Sequence, residues 1–193
     1  TYDYTPLAAI NFDTTWGRDA DVEPDREAKP VDQTSPGHNT EFAWLLNHAA
    51  HIMGVGDDRY ADVTKTMCDH CVEFGIDPEY GGVYADVPMT SKTHLTEKQF
   101  WQQAEALIGM LDACLYVGDE KYWEAFNSIL DFCFTYLIAM DAGGEWYERV
   151  DRDGTVVDGD LGHSWKISYH TVTSMIQCGQ RLETLTEVAE KSE

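Results

Sequence analysis

The sequence predicts an all-α fold in which pairs of helices stack side by side. Segments with apolar residues at helical spacing alternate with short extended segments in the order helix, helix, hairpin, helix, helix, hairpin, helix, a repeat of roughly 60 residues. The two extended segments also begin alike, as Glu79-Tyr-Gly-Gly-Val-Tyr84 and Gly143-Gly-Glu-Trp-Tyr147. Helical pairs that recur in this way bury their faces against neighbouring pairs. Such a stack, when it curves far enough, closes into an (α/α) toroid whose inter-helix loops crowd one rim, where a site would form.

Two regions are predicted along the 193 residues, which are enough for one domain with a sizeable core. Residues 1–36 begin with an apolar run at 7–12 that suits a strand, and continue as an acidic, proline-containing surface loop. Residues 37–193 hold the helices and form a single domain.

Capping residues and glycines set the limits of the predicted helices. Asn39 or Thr40 can cap the first helix, because their side chains accept hydrogen bonds from the free N–H groups of a first turn, and Gly54 can end it. Two extended segments with glycine turns, 80–87 and 145–157, separate the helical pairs. The predicted helices are 42–53, 59–74, 97–117, 122–140 and 169–185.

The predicted helix 97–117 is apolar around nearly its whole circumference from Ala104 onward, so it should be buried on most sides. Its first two turns nevertheless carry polar side chains, and a carboxylate removed from water is costly unless something pairs with it. Trp101 and Glu105 stand four residues apart and share one helical face, so an indole and a carboxylate can line one cavity, as in many sugar sites. The alternative is a core tryptophan beside a glutamate that pairs with an arginine.

The formal net charge of −22 argues against nucleic acid and anionic membranes as partners, because both are negatively charged. Hydrophobic residues make up 43% of the chain, which is too many for a disordered acidic tail, so the charge belongs on a folded surface. No apolar run reaches the roughly 18 to 20 residues that a membrane span requires. We therefore expect an acidic, soluble protein with neither nucleic acid nor membrane as a partner.

The cysteines are odd in number and lie in apolar helical segments, not at the spacing of a disulfide framework. They are Cys68, Cys71, Cys114, Cys133 and Cys178. We expect core thiols in a reducing, cytoplasmic compartment. Cys68-Asp-His-Cys71 does match a two-cysteine metal or redox spacing, but no second pair accompanies it.

Two histidines suit acid–base chemistry. His38 and Glu41 are three residues apart and share a face at a helix start, and His170 lies at the start of the last helix. Neutral histidines on opposite sides of a cavity can remove a proton from one face of a carbon and return it to the other. The alternatives are a capping or surface role for His38 and a core role for His170.

A metal site is the competing interpretation. His48 and His51 can lie on one helical face, and His94 or His163 could join them, but no carboxylate or cysteine supports them at a matching spacing. Residues 151–154, Asp-Arg-Asp-Gly, are similar to the start of a calcium loop but lack the oxygen ligand at the fifth position. We therefore expect no metal, and a plain hairpin turn at this place.

Three segments, in order, carry a family resemblance. They read Pro36-Gly-His-Asn-Thr-Glu-Phe-Ala-Trp-Leu-Leu46, Lys98-Gln-Phe-Trp-Gln-Gln-Ala-Glu-Ala-Leu107 and Trp165-Lys-Ile-Ser-Tyr-His170. Together they resemble the Gly-His-x-x-Glu, Lys-x-Trp-Trp-x-Gln-Ala-Glu-Ala and Trp-Lys-x-Pro-Tyr-His segments of the N-acylglucosamine 2-epimerase and cellobiose 2-epimerase family, which also includes mannose isomerases. Phe100 replaces the first tryptophan of the second segment and Ser168 the proline of the third. Thr173 stands where many members have an arginine.

The resemblance implies a cofactor-free sugar epimerase or isomerase on an (α/α)6 toroid, with a mono- or disaccharide as substrate. The two histidines would be the acid–base pair, the two glutamates would orient and polarise, and the tryptophans would stack on the sugar. The implied catalytic residues are His38, His170, Glu41 and Glu105. The implied substrate-binding residues are Trp101, Gln103, Trp165, Lys166 and Tyr169.

The implied reaction removes the proton at C2 of an open-chain aldose and gives an enediolate. Return of the proton to the other face of C2 inverts that centre, and return to C1 gives a ketose. One alternative is a glycoside hydrolase or lyase on the same toroid, which needs two carboxylates, for which Glu41 and Glu105 are the candidates. The other is a non-catalytic sugar-binding module.

The family toroid has more helices than this chain provides, so the chain resembles the C-terminal half of an epimerase. An inner wall would then face solvent, and soluble monomers rarely expose an apolar patch of that kind. We expect a homodimer, or the missing N-terminal half, to cover the wall. The chain alone should have little or no activity. The wall is expected to contain Phe100, Trp101, Trp165 and Tyr169.

Overall fold

The computed structural model describes residues 33–56, 58–88 and 96–191 and shows a mostly helical chain. The α-helices in these ranges are α1 Pro36–Met53, α2 Ala61–His70, α3 Phe100–Tyr116, α4 Glu120–Phe132 and α5 Tyr169–Glu190. Short π-helical turns continue α2 over Cys71–Gly75 and α4 over Cys133–Leu137, and a 3-10 turn spans Met140–Ala142. None of these helices has the length and apolar character needed to cross a lipid bilayer. The predicted order of helices and extended segments is confirmed.

Short antiparallel strands join the helical pairs at one end of the molecule. They are β1 Gln33–Thr34, β2 Val87–Pro88, β3 Lys98–Gln99, β4 Ile138–Ala139, β5 Glu145–Trp146, β6 Arg149–Val150 and β7 Val156–Asp158. β1 pairs with β2, β4 pairs with β5, and β3, β6 and β7 form a sheet in the order β3-β6-β7. The turn between β6 and β7 is the predicted hairpin turn, and Gly154 adopts a φ of 87° there, which glycine reaches without strain.

Helix α1 begins earlier than the sequence predicted. Pro36 is its first residue, and the Ser35 hydroxyl caps it by accepting a hydrogen bond from the His38 N–H at 3.4 Å. Proline suits this position because its missing N–H would have no helical partner there. The predicted caps, Asn39 and Thr40, instead lie buried inside the helix. This correction places His38 within the first turn.

The predicted N-terminal strand and most of the acidic loop, residues 1–32, lie outside the described residues. The end of that loop forms a strand instead, because Gln33–Thr34 pairs with Val87–Pro88. Thr34 and Ser35 are buried. The residues just before α1 therefore pack against the helical domain.

The helices form two layers. α3 packs against both α1 and α5, while α2 packs on α1 and α3, and α4 packs on α3. Glycines let α1 and α3 approach closely: a Cβ on Gly109 would lie 2.8 Å from the Thr40 Cβ, and one on Gly37 would lie 2.5 Å from the Gln102 Cγ. Any larger residue at either glycine would push the two helices apart. The inner layer α1, α3 and α5 is the one that carries the predicted site residues.

Helix α3 is buried on most sides, as predicted. Every side chain from 102 to 113 is buried, and the aromatic side chains of α4 pack against it. All five cysteines are free thiols; Cys68, Cys71 and Cys133 are buried in the core, and the other two are half-buried. The prediction of core thiols is therefore confirmed for these three.

A buried aspartate ties the inner helices together one level below the rim. Asp112 on α3 is fully buried, and its carboxylate accepts hydrogen bonds from Asn47 Nδ2 on α1, at 3.0 Å, and from Arg181 Nε on α5. Burial raises the pKa of Asp112, and the nearby Arg181 guanidinium opposes that rise. Together with the meeting of their first turns, this contact shows that α1, α3 and α5 run in the same direction.

A second buried cluster fixes the rim itself. Asp77 Oδ2 accepts hydrogen bonds from Lys98 Nζ at 3.1 Å and from Arg152 Nε at 2.8 Å. Lys98 Nζ also donates to the carbonyls of Gly81, at 2.7 Å, and Arg152, at 2.9 Å. The Asp77 and Lys98 side chains are fully shielded from solvent. This Asp77 cluster joins the segment after α2, the strand before α3 and the β6–β7 turn, so it sets where α3 starts.

The exposed apolar surface differs from the one predicted. Phe100 is only 2% exposed and belongs to the core, because it starts the buried helix α3. Trp165 and Tyr169 are 90% and 46% exposed, as expected. Broader apolar faces lie on the two helices that flank α3. The exposed residues of these faces are Phe42, Leu45, Ile52 and Met53 on α1, and Val172, Met175 and Ile176 on α5.

Candidate active site

The first turns of α1, α3 and α5 meet at the rim and enclose a cavity of about 370 Å³. The His38 ring lies 4.6 Å from the Trp101 ring, and the His170 ring lies 5.6 Å from Trp101 on centroid distances. The structure thus brings together both predicted catalytic histidines, Glu41 and both predicted tryptophans. The residues lining the cavity are His38, Glu41, Phe100, Trp101, Glu148, Trp165 and His170.

Glu105 lies beneath the cavity floor, where it is fully buried. Its Oε1 is 2.6 Å from His170 Nδ1, and its Oε2 accepts a hydrogen bond of 2.6 Å from Trp44 Nε1. A buried carboxylate persists only when it is paired, and here each oxygen has a partner. The alternative of an arginine partner is wrong, because a histidine and an indole take its place.

The contact with Glu105 orients His170. An ionised carboxylate only accepts hydrogen bonds, so Nδ1 carries the proton of a neutral His170 and Nε2 is left as the basic nitrogen. Phe100 and Tyr169 pack against the ring edge-on, at centroid distances of 6.1 Å and 4.8 Å. These contacts fix both the tautomer and the plane of the imidazole, as a general base requires.

His38 also lies against Trp101, on helix α1. Partial burial lowers the pKa of His38 below its ordinary value; the charge of His170 adds to this, while Asp86 and Glu105 oppose it. The imidazole is therefore neutral near neutral pH and able to accept a proton. Its place in the first turn follows from the Ser35 cap.

Glu41 lines the same wall as His38. Burial raises the pKa of Glu41, and the neighbouring charge of Glu105 raises it further. A carboxyl group with a raised pKa can both donate and accept a hydrogen bond at a pH where ordinary glutamates only accept. Glu41 is therefore suited to sharing a proton with an oxygen that gains charge.

Trp165 stands at the mouth of the cavity. It precedes α5 in the loop that follows β7, and its indole is 90% exposed, so it offers a free aromatic face. Tyr169 is the first residue of α5 and contacts His170, but it supports the histidine from the side and does not line the cavity.

Two predicted substrate-binding residues do not reach the cavity. Gln103 is fully buried, and its amide pairs with the backbone of Val83: Oε1 accepts from the N–H at 2.6 Å, and Nε2 donates to the C=O at 2.7 Å. Lys166 is 3% exposed, donates to the carbonyl of Trp146 and lies 4.8 Å from the Phe100 ring centroid. In this structure both side chains are bonded to the backbone that surrounds the site.

Two residues of the site were missed at the level of sequence. Trp44 lay inside the first of the three matching segments, and its position on α1 relative to Glu41 was the available signal. Glu148 had no such signal, because its position depends on strand pairing. The Phe100 N–H donates to the Glu148 carbonyl at 3.2 Å, and this contact carries the Glu148 side chain to the cavity wall.

The competing interpretation, a histidine cluster that binds a metal, finds no support among the described residues. His48 and His51 point to solvent on α1, His163 lies 3.4 Å from Glu148, and His94 lies outside the described ranges. Within those ranges, Glu41, Glu105 and His170 do place ligand atoms within 4.8 Å of one another. A cation there would have to replace the contact between Glu105 and His170, since both Glu105 oxygens are already taken.

Comparison with known proteins places this arrangement in context. Cellobiose 2-epimerase of Ruminococcus albus is 28% identical over 173 residues, which are 86% of this chain and 41% of that protein. A solved sugar epimerase from a ruminal bacterium has a TM-score of 0.69 at 26% identity, over 78% of this chain and 38% of that one. A glycoside hydrolase family 76 mannosidase of Bacteroides thetaiotaomicron has a TM-score of 0.55 at 16% identity, over 82% of this chain and 44% of that one, and shares the fold alone.

These matches confirm the predicted fold class, an all-α chain that forms about half of an (α/α)6 toroid. The chain spans 41% of the length of the Ruminococcus relative. A family model described as N-acylglucosamine 2-epimerase (GlcNAc 2-epimerase) matches residues 9–174, most of the sequence. The chain therefore belongs to the N-acylglucosamine 2-epimerase family.

Proposed function

We propose that the protein epimerises or isomerises an aldose at C2 by moving a proton between histidines. One observation carries the proposal: His38 and His170 both lie against Trp101 within a single cavity, at ring centroid distances of 4.6 Å and 5.6 Å from it. Two bases that line one cavity can address opposite faces of a sugar carbon bound between them. Cellobiose, N-acylglucosamine and mannose are the candidate substrates, from the names of the relatives.

The reaction uses side chains as its proton donors and acceptors, and we propose that it needs no cofactor. One histidine removes the C2 proton of the open-chain sugar, and the electron pair of that bond forms the C1–C2 double bond of an enediolate while O1 gains the charge. Return of a proton to the opposite face of C2 gives the epimer. Return of a proton to C1, with the O2 proton moved to O1 as C2 becomes the carbonyl, gives the ketose. Glu105 holds His170 in place, and Glu41 can share its proton with the charged oxygen.

A hydrolase is less well supported by the same geometry. It needs two carboxylates that can protonate or attack at the glycosidic bond. Glu105 was one of the two candidates, but it is fully buried and both of its oxygens are engaged. The likeness to the mannosidase is one of fold alone.

Exchange at C2 tests the proposal. The full-length protein in heavy water should incorporate deuterium at C2 of mannose, glucose, N-acetylmannosamine or cellobiose, because proton removal precedes either product. Nuclear magnetic resonance of the recovered sugar measures the incorporation. If none of the four sugars exchanges, proton transfer at C2 is not the reaction.

The titration of His38 should reflect its lowered pKa. Burial disfavours the charged ring, so the midpoint for His38 should lie below the ordinary value of about 6.5. Replacing Asp86 with asparagine removes a negative charge that raises this pKa, so Asp86→Asn should move the midpoint lower still.

The measurement is the pH dependence of the His38 ring signals, assigned by their loss in His38→Asn. Asp131→Asn, on the exposed side of α4, is the matched charge control and should leave the midpoint unchanged. A wild-type midpoint at or above about 6.5, or an upward move in Asp86→Asn, would contradict the assignment.

We further propose that the exposed faces of α1 and α5 are covered in the working protein, by a second copy or by chain that supplies the rest of the toroid. The 193 residues alone should therefore elute larger than a monomer and exchange C2 protons poorly, because apolar faces of this kind associate. Ile52→Glu should shift the elution towards the monomer, and Val157→Glu, on the hairpin, should not. A fully active, monodisperse monomer contradicts this prediction.

A cytoplasmic location is also proposed. It is supported by the five cysteines, which are all present as free thiols although several lie close to one another in the core.

A further inference from the structure

Glu148 is a cavity residue that the proton-transfer scheme does not use. It lies between β5 and β6, directly before Arg149, which pairs with Gln99 in the β3–β6 ladder. The next step of that register brings the Phe100 N–H to the Glu148 carbonyl, at 3.2 Å. The backbone of Glu148 is therefore fixed to the start of α3, and its side chain enters the cavity beside Trp101 and Trp165.

The Glu148 carboxylate has one oxygen that lacks a hydrogen bond among the described residues. Oε2 is shielded from solvent, and the His163 ring nitrogen Nε2 lies 3.4 Å from it without hydrogen-bond geometry. Glu105, in contrast, uses both of its oxygens within the protein. The Glu148 side chain as a whole is still 22% exposed and lines the cavity, so a ligand hydroxyl that enters there can donate to the accessible part of the carboxylate.

The position of Glu148 separates it from the reacting carbons. Both histidines and Glu41 come from the first two turns of α1 and α5, whereas Glu148 comes from the segment between β5 and β6, on the side of Trp165. A sugar placed between the histidines at C1 and C2 and stacked on Trp165 therefore presents its more distant hydroxyls to the hairpin.

We propose that Glu148 is a substrate-binding residue that accepts a hydrogen bond from a sugar hydroxyl remote from C2 and excludes sugars that carry a negative charge there. The proposal rests on the proposed function for the orientation of the sugar. Glu148 places a carboxylate on the hairpin side of the cavity, and no lysine or arginine lines the cavity among the described residues. Lys166 interacts electrostatically with Glu148, but it is 3% exposed and donates to the Trp146 carbonyl. A phosphate or carboxylate at the distant end of the sugar would therefore meet the like charge of Glu148 without a cation that is free to pair with it.

Binding and exchange by the full-length protein test this role. Mannose, cellobiose and mannose 6-phosphate are the probes, and tryptophan fluorescence reports binding because Trp101 and Trp165 line the cavity. Glu148→Gln should weaken binding of the neutral sugars by about 10- to 100-fold, since a charged acceptor is replaced by a neutral one. The preference for mannose over mannose 6-phosphate should fall at least about tenfold in the same variant.

Three further variants separate contact, charge and support. Glu148→Asp keeps the charge but shortens the side chain, so it should weaken binding of neutral sugars and still reject the phosphate. Glu97→Gln removes an exposed carboxylate next to β3, outside the cavity, and should change neither quantity. His163→Ala should bind neutral sugars as the wild type does. If His163→Ala instead lost as much affinity for neutral sugars as Glu148→Gln, Glu148 would act only by holding His163.

The outcomes also distinguish this proposal from the proposed function. If the wild type binds neutral sugars but exchanges no C2 proton, the reaction is wrong while the Glu148 role is still judged by binding. Three results would overturn the Glu148 role. In the first, Glu148→Gln leaves both the affinity for neutral sugars and the preference for mannose over mannose 6-phosphate unchanged. In the others, Glu97→Gln changes these quantities equally, or the wild type binds neither mannose nor cellobiose.

Discussion

Replacing His170 with asparagine should reduce C2 proton exchange by about 10²- to 10⁴-fold, the usual contribution of a general acid or base. The asparagine Nδ2 can still donate to Glu105, so the buried carboxylate keeps its partner while the basic Nε2 is lost. His38→Asn should reduce deuterium incorporation at C2 of the epimer product by a similar factor, because formation of that product needs the second proton transfer.

The measurement for both variants is deuterium incorporation at C2 by the full-length protein. His48→Asn is the matched control, since His48 is an exposed histidine on the same helix as His38. Far-ultraviolet circular dichroism checks that each variant is folded. Exchange near the wild-type rate in folded His170→Asn would remove this histidine from the mechanism.

Replacing Asp77 with alanine should lower the free energy of unfolding by about 3–5 kcal/mol, the usual effect of breaking a buried ion pair from one side. The variant leaves the Lys98 ammonium shielded from solvent, with two carbonyls as acceptors but no countercharge. Because the Asp77 cluster also sets the start of α3, the variant should weaken sugar binding as well.

Urea denaturation of the full-length protein measures the loss. Asp131→Ala, which removes an exposed carboxylate from α4, should change the free energy of unfolding by much less. Equal effects of the two substitutions would show that the Asp77 cluster does not stabilise the fold.

The deficit of Asp77→Ala should shrink in acid. Burial alone would raise the pKa of Asp77, but hydrogen bonds from Arg152 and Lys98 outweigh it and hold the pKa below the usual range. A depressed folded-state pKa contributes stability above the unfolded value, near about 3.9, and that contribution is lost as the pH falls through the folded value. Wild type and variant should therefore approach each other in stability only below about pH 4.

Much of the fold could be predicted from the sequence, because residues at the helix ends indicate where the helices begin and end. Gly54 ends α1 in the left-handed conformation, and the periodic apolar residues of α3 required burial on most sides, which the structure confirms. The order of helices and hairpins followed from the repeat. The first helix starts before its predicted limit, because Ser35 caps it and Pro36 occupies its first position.

The site residues at the helix starts could also be predicted. When neighbouring helices run in the same direction, the polar residues of their first turns lie together at one rim. His38, Trp101 and His170 meet there. The pairing of Glu105 was partly readable, since a buried carboxylate demands a partner, but the identity of that partner was not.

Only the tertiary structure determines which polar side chains point into the cavity and which bond to the backbone around it. Gln103 satisfies its amide on the backbone of Val83, and Lys166 satisfies its ammonium on the carbonyl of Trp146, so neither is available to a ligand. Glu148 reaches the cavity solely through the pairing of β6 with β3. A sequence shows that a buried polar group needs a hydrogen-bond partner. A neighbouring backbone group and a substrate can both supply that partner. The packing of distant segments determines which of the two lies within reach.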